Sequence, residues 1–207
     1  SCVMSIVTYN NRSIANISAI PGAAESLTHI KTLTASSSST LSFLNGSDDV
    51  VFDSTYPIYI FKYIGIHPAT QSNFSFQVDT GTNTSYNQTI TSSSYYAEHS
   101  EGGSTSLSYF TATDQAQGTG FQMISHNPGT DNDSNSSGTL TIFNPSSSTF
   151  VKHFIGDSNC TNGSATSHRN FVAGYINTTT ALTRVQFKFA SGNIDSGTIK
   201  LYGLKDS

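Results

Sequence analysis

Residues 184–189 read Arg184-Val185-Gln186-Phe187-Lys188-Phe189, a strict alternation of polar and apolar side chains. Because successive side chains of a β-strand point to opposite faces, this period of two predicts a strand with one buried face. Residues 74–78, Phe-Ser-Phe-Gln-Val, alternate in the same way. The pattern recurs from Thr40 onwards, so the fold is predicted to rest on strands.

Further strand-like runs lie between clusters of Asn, Gly, Ser and Asp, which form tight turns at little conformational cost. The runs cover residues 88–97, 106–111, 120–125, 149–155 and 170–176. About ten to twelve short strands separated by such turns predict an all-β fold, an antiparallel β-sandwich of jelly-roll-like type. We expect an N-terminal arm over residues 1–35 and the sandwich domain over residues 36–207.

One run is apolar at almost every position. Between Ile58 and Ile66, the rings of Tyr59, Phe61 and Tyr63 alternate with isoleucines. Such a run predicts a central strand covered on both sides, or a strand that crosses an interface between subunits.

A short repeat marks two segments. Residues 137–143, Ser-Gly-Thr-Leu-Thr-Ile-Phe, match residues 196–202, Ser-Gly-Thr-Ile-Lys-Leu-Tyr. Two copies are too few for a solenoid. They predict equivalent strands in the two sheets, or in the two halves of a jelly roll, each starting at a Ser-Gly turn.

The composition argues against several classes of partner. Only 11% of the residues are charged, the net charge is −4, and the nine Lys and Arg are scattered. Nucleic-acid binding needs a basic surface, and a membrane-spanning helix needs roughly 18 consecutive apolar residues. We therefore expect neither nucleic-acid binding nor membrane insertion. Polarity comes mainly from 35 Ser and 27 Thr.

The N-terminus shows no secretion signal, since no charged region precedes an apolar stretch there. Two interpretations stay open for Ser1–Val3: residues added ahead of a start at Met4, or an upstream start. Cys2 and Cys160 are predicted to be unpaired thiols, and a single bridge holding the N-terminus is the alternative.

No catalytic motif stands out, and the prediction is that the protein is not an enzyme. Glu98 and Glu101 are the only close pair of glutamates, and Gly102-Gly103 places them in a predicted loop. The sequence Gly156-Asp157-Ser158-Asn159 resembles an esterase block only faintly and lacks a following Asp-x-x-His. We predict no catalytic residues and no cofactor.

Structural calcium is the one metal with some local support. Asp131, Asp133 and Asn135 place oxygen ligands at alternate positions, as a calcium loop does. An EF-hand is excluded because Ser136 replaces the required glycine and Ile142 replaces the final glutamate. The alternative is a solvated acidic turn. The six histidines show no zinc-ligand spacing.

Exposed aromatic rings are the candidate ligand-binding groups. Tyr95, Tyr96 and Tyr109 are placed to stack on a glycan, although the chain has no Trp. Because Tyr95 and Tyr96 are consecutive, a strand would turn one ring to each face. Core packing or a subunit interface is the alternative interpretation.

The C-terminal block, residues 182–205, contains the motif Ser-Gly-Asn-Ile-x-Ser-Gly-Thr-Ile-x-Leu-Tyr-Gly. It resembles the ending of a family of tailed-bacteriophage virion structural proteins, often called tail-fibre-like, that is frequent in marine phages. Residues 137–152 and 53–70 look similar to two further blocks of that family, with Gln71 in place of its Asp. The resemblance covers roughly residues 27–205 and carries no catalytic residues.

The resemblance implies a jelly-roll-like sandwich on the virion surface. We expect a homo-oligomer, favouring a trimer, that contacts other virion proteins. As a capsid decoration or cement protein it would bind the major capsid protein; as a fibre or tail-tip subunit it would bind fibre or baseplate proteins. The alternative function is an adhesin module that recognises a host-surface glycan.

Overall fold

The structure, a computed structural model, describes residues 27–205, so the predictions for Ser1–Val3, Cys2 and the first 26 residues of the arm lie outside the described residues. Within this range the chain forms strands and no helix, and no helix there is suited to crossing a membrane. The strands are β1 (Leu27–Thr34), β2 (Leu41–Leu44), β3 (Ile58–Pro68), β4 (Phe74–Thr80), β5 (Ile90–Ser100), β6 (Thr105–Tyr109), β7 (Gln122–Ser125), β8 (Ser136–Phe143), β9 (Lys152–Asn162), β10 (Thr166–Ile176), β11 (Leu182–Phe189) and β12 (Ile194–Leu204).

The strands form two sheets that pack face to face. The large sheet has eight strands in the order β1-β12-β3-β8-β9-β10-β5-β6, and the small sheet has four in the order β2-β11-β4-β7. Every pair of neighbours is antiparallel. The predicted all-β antiparallel sandwich is therefore confirmed, with the strands divided unequally between its two layers.

Phenylalanine rings fill the space between the sheets. The Phe187 ring on β11 lies 5.4 Å from Phe61 of the large sheet, centroid to centroid. It also packs against Phe43, Phe74 and Phe76 of the small sheet, at 6.2, 6.0 and 6.5 Å. Edge-to-face and offset contacts at these distances are the favoured aromatic geometries. The ring therefore joins both layers of the sandwich.

The alternation predicted for β11 is confirmed, because Val185, Phe187 and Phe189 are buried and their neighbours are half-buried. The second face of β4 is buried too, which the pattern did not predict. Gln77 on that face donates hydrogen bonds from Nε2 to three loop carbonyls, those of Gln88, Thr119 and Gly120. The long connections before and after β5 and β6 therefore cover the outside of the small sheet.

The apolar run in β3 is central in the large sheet but is not covered on both sides by described residues. Tyr59, Phe61 and Tyr63 face the core, whereas Ile64 is 48% exposed. Gly65 has a φ of +59° and interrupts the pairing with both neighbouring strands. Because this bulge shifts the alternation by one residue, Ile66 turns into the core with the rings instead of facing outward with the other isoleucines.

The repeated segments are neighbours of β3, not members of different sheets. Residues 137–143 belong to β8 and residues 196–202 to β12, and these strands flank β3 on either side. Neither Ser-Gly pair is a turn. Ser137 Oγ accepts a hydrogen bond from the Gly65 N–H at 3.0 Å, and Gly197 has a φ of +114° beside the same bulge. The repeat therefore marks the two strands that accommodate the β3 bulge.

The end of the predicted arm belongs to the sandwich. Leu27–Thr34 forms β1, which pairs along its length with β12 at the edge of the large sheet. A register shift between His29 and Lys31 breaks the period of two, which hides the strand in the sequence. Ile30 lies within this irregularity and Leu33 follows it, and both side chains pack against the core.

We predict that Phe187→Ala lowers the free energy of unfolding by about 3–5 kcal/mol, because it leaves a cavity at the contact between the sheets. Urea unfolding followed by circular dichroism measures this change. Phe150→Ala is the matched control: Phe150 is 71% exposed, so its loss should change stability by no more than about 0.5 kcal/mol. Equal effects of the two substitutions would contradict the role given to Phe187.

Candidate functional site

The face of the large sheet that points away from the small sheet is exposed to solvent on strands β9, β10, β5 and β6. We call it the open face. Register pairing places Asp157 of β9, Phe171 of β10, Tyr95 of β5 and Tyr109 of β6 side by side in one row across it. Because paired residues in an antiparallel sheet point to the same side, these four side chains share one surface.

Arg169 is positioned at this row by an ion pair and a ring contact. Its Nε and Nη2 atoms donate to the two carboxylate oxygens of Asp157 at 3.1 and 2.7 Å. Its guanidinium lies 4.6 Å over the Phe171 ring, and Phe171 stacks on Tyr95 at 4.7 Å with an interplanar angle of 14°. The bond to Asp157 raises the pKa of Arg169. The result is a preorganised stack of one cation and two rings.

The three tyrosines proposed for glycan binding do not lie together. Tyr95 and Tyr109 are cross-strand partners on the open face. Tyr96 points to the opposite side, where it stacks on His168 at 4.9 Å. The Tyr109 hydroxyl donates to Asp114 at 2.7 Å, which raises the pKa of Tyr109. The alternation of a strand thus leaves two of the three rings available to a ligand at the surface.

A shallow cleft of about 590 Å³ lies beside the stack. Its open-face side chains include three hydroxyls, one amide, one imidazole and the Asp157–Arg169 pair. Such groups offer both donors and acceptors without a strong excess of either charge, which suits a polyhydroxylated ligand. The open-face side chains along it are Ala97, His99, Ser137, Thr139, Asp157, Asn159, Ser167 and Arg169.

Two histidines meet behind the open face, on the inner side of the same strands. The rings of His126 and His168 lie 4.8 Å apart, with Phe110 packed against both. His168 Nδ1 lies 3.1 Å from Glu98 Oε2, and His126 Nδ1 lies 3.1 Å from Asn73 Oδ1. Aromatic rings and amides therefore enclose the pair, with a single carboxylate beside it among the described residues.

Burial favours the neutral form of both imidazoles. It is the main cause that lowers the pKa of His126 from 6.5 to about 4, and the neighbouring His168 lowers it further. Burial also lowers the pKa of His168, against the opposing effect of Glu98. Two cations at this spacing would repel each other in a desolvated site.

The predicted calcium loop forms a tight turn before β8. Ser134 N–H donates to the Asp131 carbonyl at 2.8 Å, and the Asn135 amide lies 3.4 Å from the Asp133 carbonyl. Asp131, Asp133 and Asn135 are all exposed. In the described part of the chain no three His, Cys, Asp or Glu side chains are grouped to hold a metal. Calcium binding by the loop stays a prediction.

Of the residues considered for catalysis, Glu98 and Ser158 are bonded to other groups of the fold. Glu98 contacts His168, whereas Glu101 lies exposed in the turn after β5. Residues 156–159 lie inside β9, and the Ser158 hydroxyl donates to the Ile124 carbonyl at 2.7 Å. Cys160 is a free thiol, and burial raises its pKa to about 11, so it is a poor nucleophile.

Sequence reasoning missed Arg169, Phe171 and the histidine pair. A signal for the first two existed: a turn centred on Asn162-Gly163 folds β9 onto β10 and brings Asp157 opposite Phe171. No comparable signal existed for His126 and His168. They lie 42 positions apart and meet only because the segment after β7 packs beneath β10.

We predict that acid destabilises the protein through the histidine pair. Because the folded-state pKa of each imidazole lies below the unfolded value of 6.5, the unfolded chain binds more protons as the pH falls from 6.5 towards 4. The melting temperature should fall across this window. His126→Gln should flatten the dependence, and His99→Gln, at an exposed site, should leave it unchanged. Calorimetry at several pH values measures both; identical slopes in all three proteins would refute the assignment.

Comparison with protein-family models, with curated proteins and with solved structures found no match to this chain.

Proposed function

We propose that this protein is a non-catalytic structural protein exposed on the virion of a tailed phage. The observation that carries the proposal is where the family-like C-terminal block falls in the fold. The block includes β12, whose Ile194, Ile199 and Leu201 are fully buried and whose Gly197 sits at the β3 bulge. The resemblance therefore involves positions on which the packing depends, not only low-complexity turns.

The surface chemistry supports an external structural role. The side chains that line the cleft and the β6 edge are mainly neutral hydroxyls and amides. Hydrogen-bonding groups without charge are not screened by salt, so contacts made through them persist when ionic strength changes. A protein that works outside the host cell meets such changes.

Two positions on the virion fit the proposal. As a capsid decoration protein, the chain would cement neighbouring copies of the major capsid protein. As a fibre or tail-tip subunit, it would attach to fibre or baseplate proteins and present its loops to the host. In either position it would act as a homo-oligomer.

Immunogold electron microscopy of virions purified from the encoding phage tests this proposal. Antibodies raised against the recombinant chain should label intact particles, on the capsid for a decoration protein and on the tail for a fibre subunit. A lysate protein of unrelated fold, probed with its own antibody, serves as the control for adsorption. Chain found only in the soluble lysate, with unlabelled particles, would overturn the proposal.

Glycan binding is the second candidate function, and one observation favours it. The Arg169–Phe171–Tyr95 stack stands beside the hydroxyl-lined cleft on the open face. An aromatic surface next to paired donors and acceptors provides contacts for both the C–H face and the hydroxyls of a sugar.

If the chain binds glycans there, Tyr95→Ala and Phe171→Ala should each weaken binding about tenfold, which corresponds to a loss of about 1.4 kcal/mol. A glycan array followed by calorimetry on the best ligand measures the change. Tyr96→Phe keeps the inward ring and is the matched control. Absence of any array ligand, or equal affinity of all variants, would count against this candidate.

A further inference from the structure

The strand β6 ends the large sheet with an unprotected edge. It pairs with β5 on one side, and no described residue pairs with its other side. From Gly102 to Ala112 the chain has no charged side chain. Leu107, in the middle of β6, is 74% exposed. An uncharged edge with exposed apolar side chains is a template for pairing with another strand.

The other three sheet edges have features that commonly prevent strand pairing between molecules. At the opposite end of the large sheet, β1 carries Lys31 and His29. In the small sheet the edge strands β2 and β7 have four residues each. Charge on an edge strand and short edge strands both discourage pairing between molecules. Of the two edge strands in the described structure that are longer than four residues, β6 alone carries no charged side chain.

The hydrogen bonds around β6 show which backbone groups remain free. Ser100 N–H donates to the Ser104 carbonyl, and Phe110 N–H donates to the Ser94 carbonyl, both at 2.8 Å. Because backbone groups alternate in direction along an antiparallel strand, the even-numbered residues of β6 bond to β5. The N–H and C=O groups of Thr105, Leu107 and Tyr109 therefore point away from the sheet. Within the described part of the chain these groups make a single hydrogen bond, a long one of 3.4 Å from Ser108 Oγ to the Tyr109 carbonyl.

We propose that two copies of this chain associate through β6, antiparallel and about a two-fold axis at Leu107. In this register Leu107 exchanges both backbone hydrogen bonds with Leu107 of the second copy. Thr105 pairs with Tyr109 of the second copy, and the symmetry gives the same pair again. A shift by one residue would place each free N–H and C=O group of β6 opposite a residue whose own groups already bond to β5, so the backbone excludes that register.

A second copy is the occupant that the edge fits best, because the contact is self-complementary. The two-fold axis brings identical segments together, and an uncharged segment does so without like-charge repulsion. The same pairing through β1 would bring Lys31 towards Lys31. At β6 the two Leu107 side chains instead meet on one face, at the spacing of a hydrogen-bonded pair, about 5.5 Å between Cα atoms.

The pairing has a geometric consequence for the open face. A two-fold axis that relates antiparallel neighbours stands perpendicular to the sheet, so both open faces turn to the same side. The two large sheets become one continuous sheet, and the Tyr95–Tyr109 pairs of both copies lie close to the axis. The inference goes beyond the proposed function, since it holds for a virion protein and for a glycan-binding module alike.

Light scattering on the purified chain tests the association. The wild type should have twice the chain mass of 22.1 kDa, and Leu107→Lys should return it to the mass of one chain. Phe150→Lys, at a side chain 71% exposed and away from β6, is the matched control and should keep the doubled mass. A monomeric wild type, or an assembly of any size that Leu107→Lys leaves intact, would overturn the proposal.

Cross-linking tests the register independently of stability. In a Cys2→Ser background, where Cys160 is 1% exposed, Leu107→Cys should form an intermolecular disulfide under mild oxidation. The expected Cα separation lies within the range of about 4.4–6.8 Å that disulfides need. Thr105→Cys alone should stay uncross-linked, because its symmetry mate is four positions away along the strand. Equal cross-linking of the two variants would overturn the register.

The outcome is distinguishable from that of the virion experiment. Unlabelled virions together with a doubled mass would reject the proposed location and keep the β6 pairing. Labelled virions together with a monomeric wild-type chain would do the opposite.

Discussion

The contact of Phe187 with rings of both sheets is the interaction on which the rest of the structure depends. Phe61 lies across from it in the large sheet, and Phe74 and Phe76 lie beside it in the small one. Few charges are available to stabilise this chain, so burial of apolar rings is the main favourable term. Since these rings cover one face of the large sheet, the opposite face is left to contact solvent or partners.

The strands β9, β10 and β5 place side chains both on the inner side of the sheet and on the open face. Alternate residues of β10 place His168 and Asn170 inside and Arg169 and Phe171 outside. A backbone fixed by the packing on one side therefore fixes the geometry on the other. The position of the Arg169 stack follows from that arrangement, as does the enclosure of two histidines behind it.

The small number of charged residues determines the chemistry of the surface and also leaves one strand edge without charge. Hydroxyl and amide groups keep the surface hydrated, yet they do not protect a strand edge as lysine does. The edge strand β1, with Lys31, has that protection and β6 lacks it. An uncharged, unpaired edge can pair with another strand, either in aggregation or in the association proposed through β6.

The sequence by itself determined the class of fold, since the period of two and the Asn- and Gly-rich turns are local properties of the chain. It also determined which face of β11 is buried. It further determined that the side chains of the consecutive residues Tyr95 and Tyr96 point to opposite faces of their strand. It did not reveal the bulge at Gly65, the strand β1 or the meeting of His126 with His168. These depend on sheet order and on register between segments distant in sequence. Only tertiary structure decides them, because the free energy of such pairings comes from burial that no single segment achieves alone.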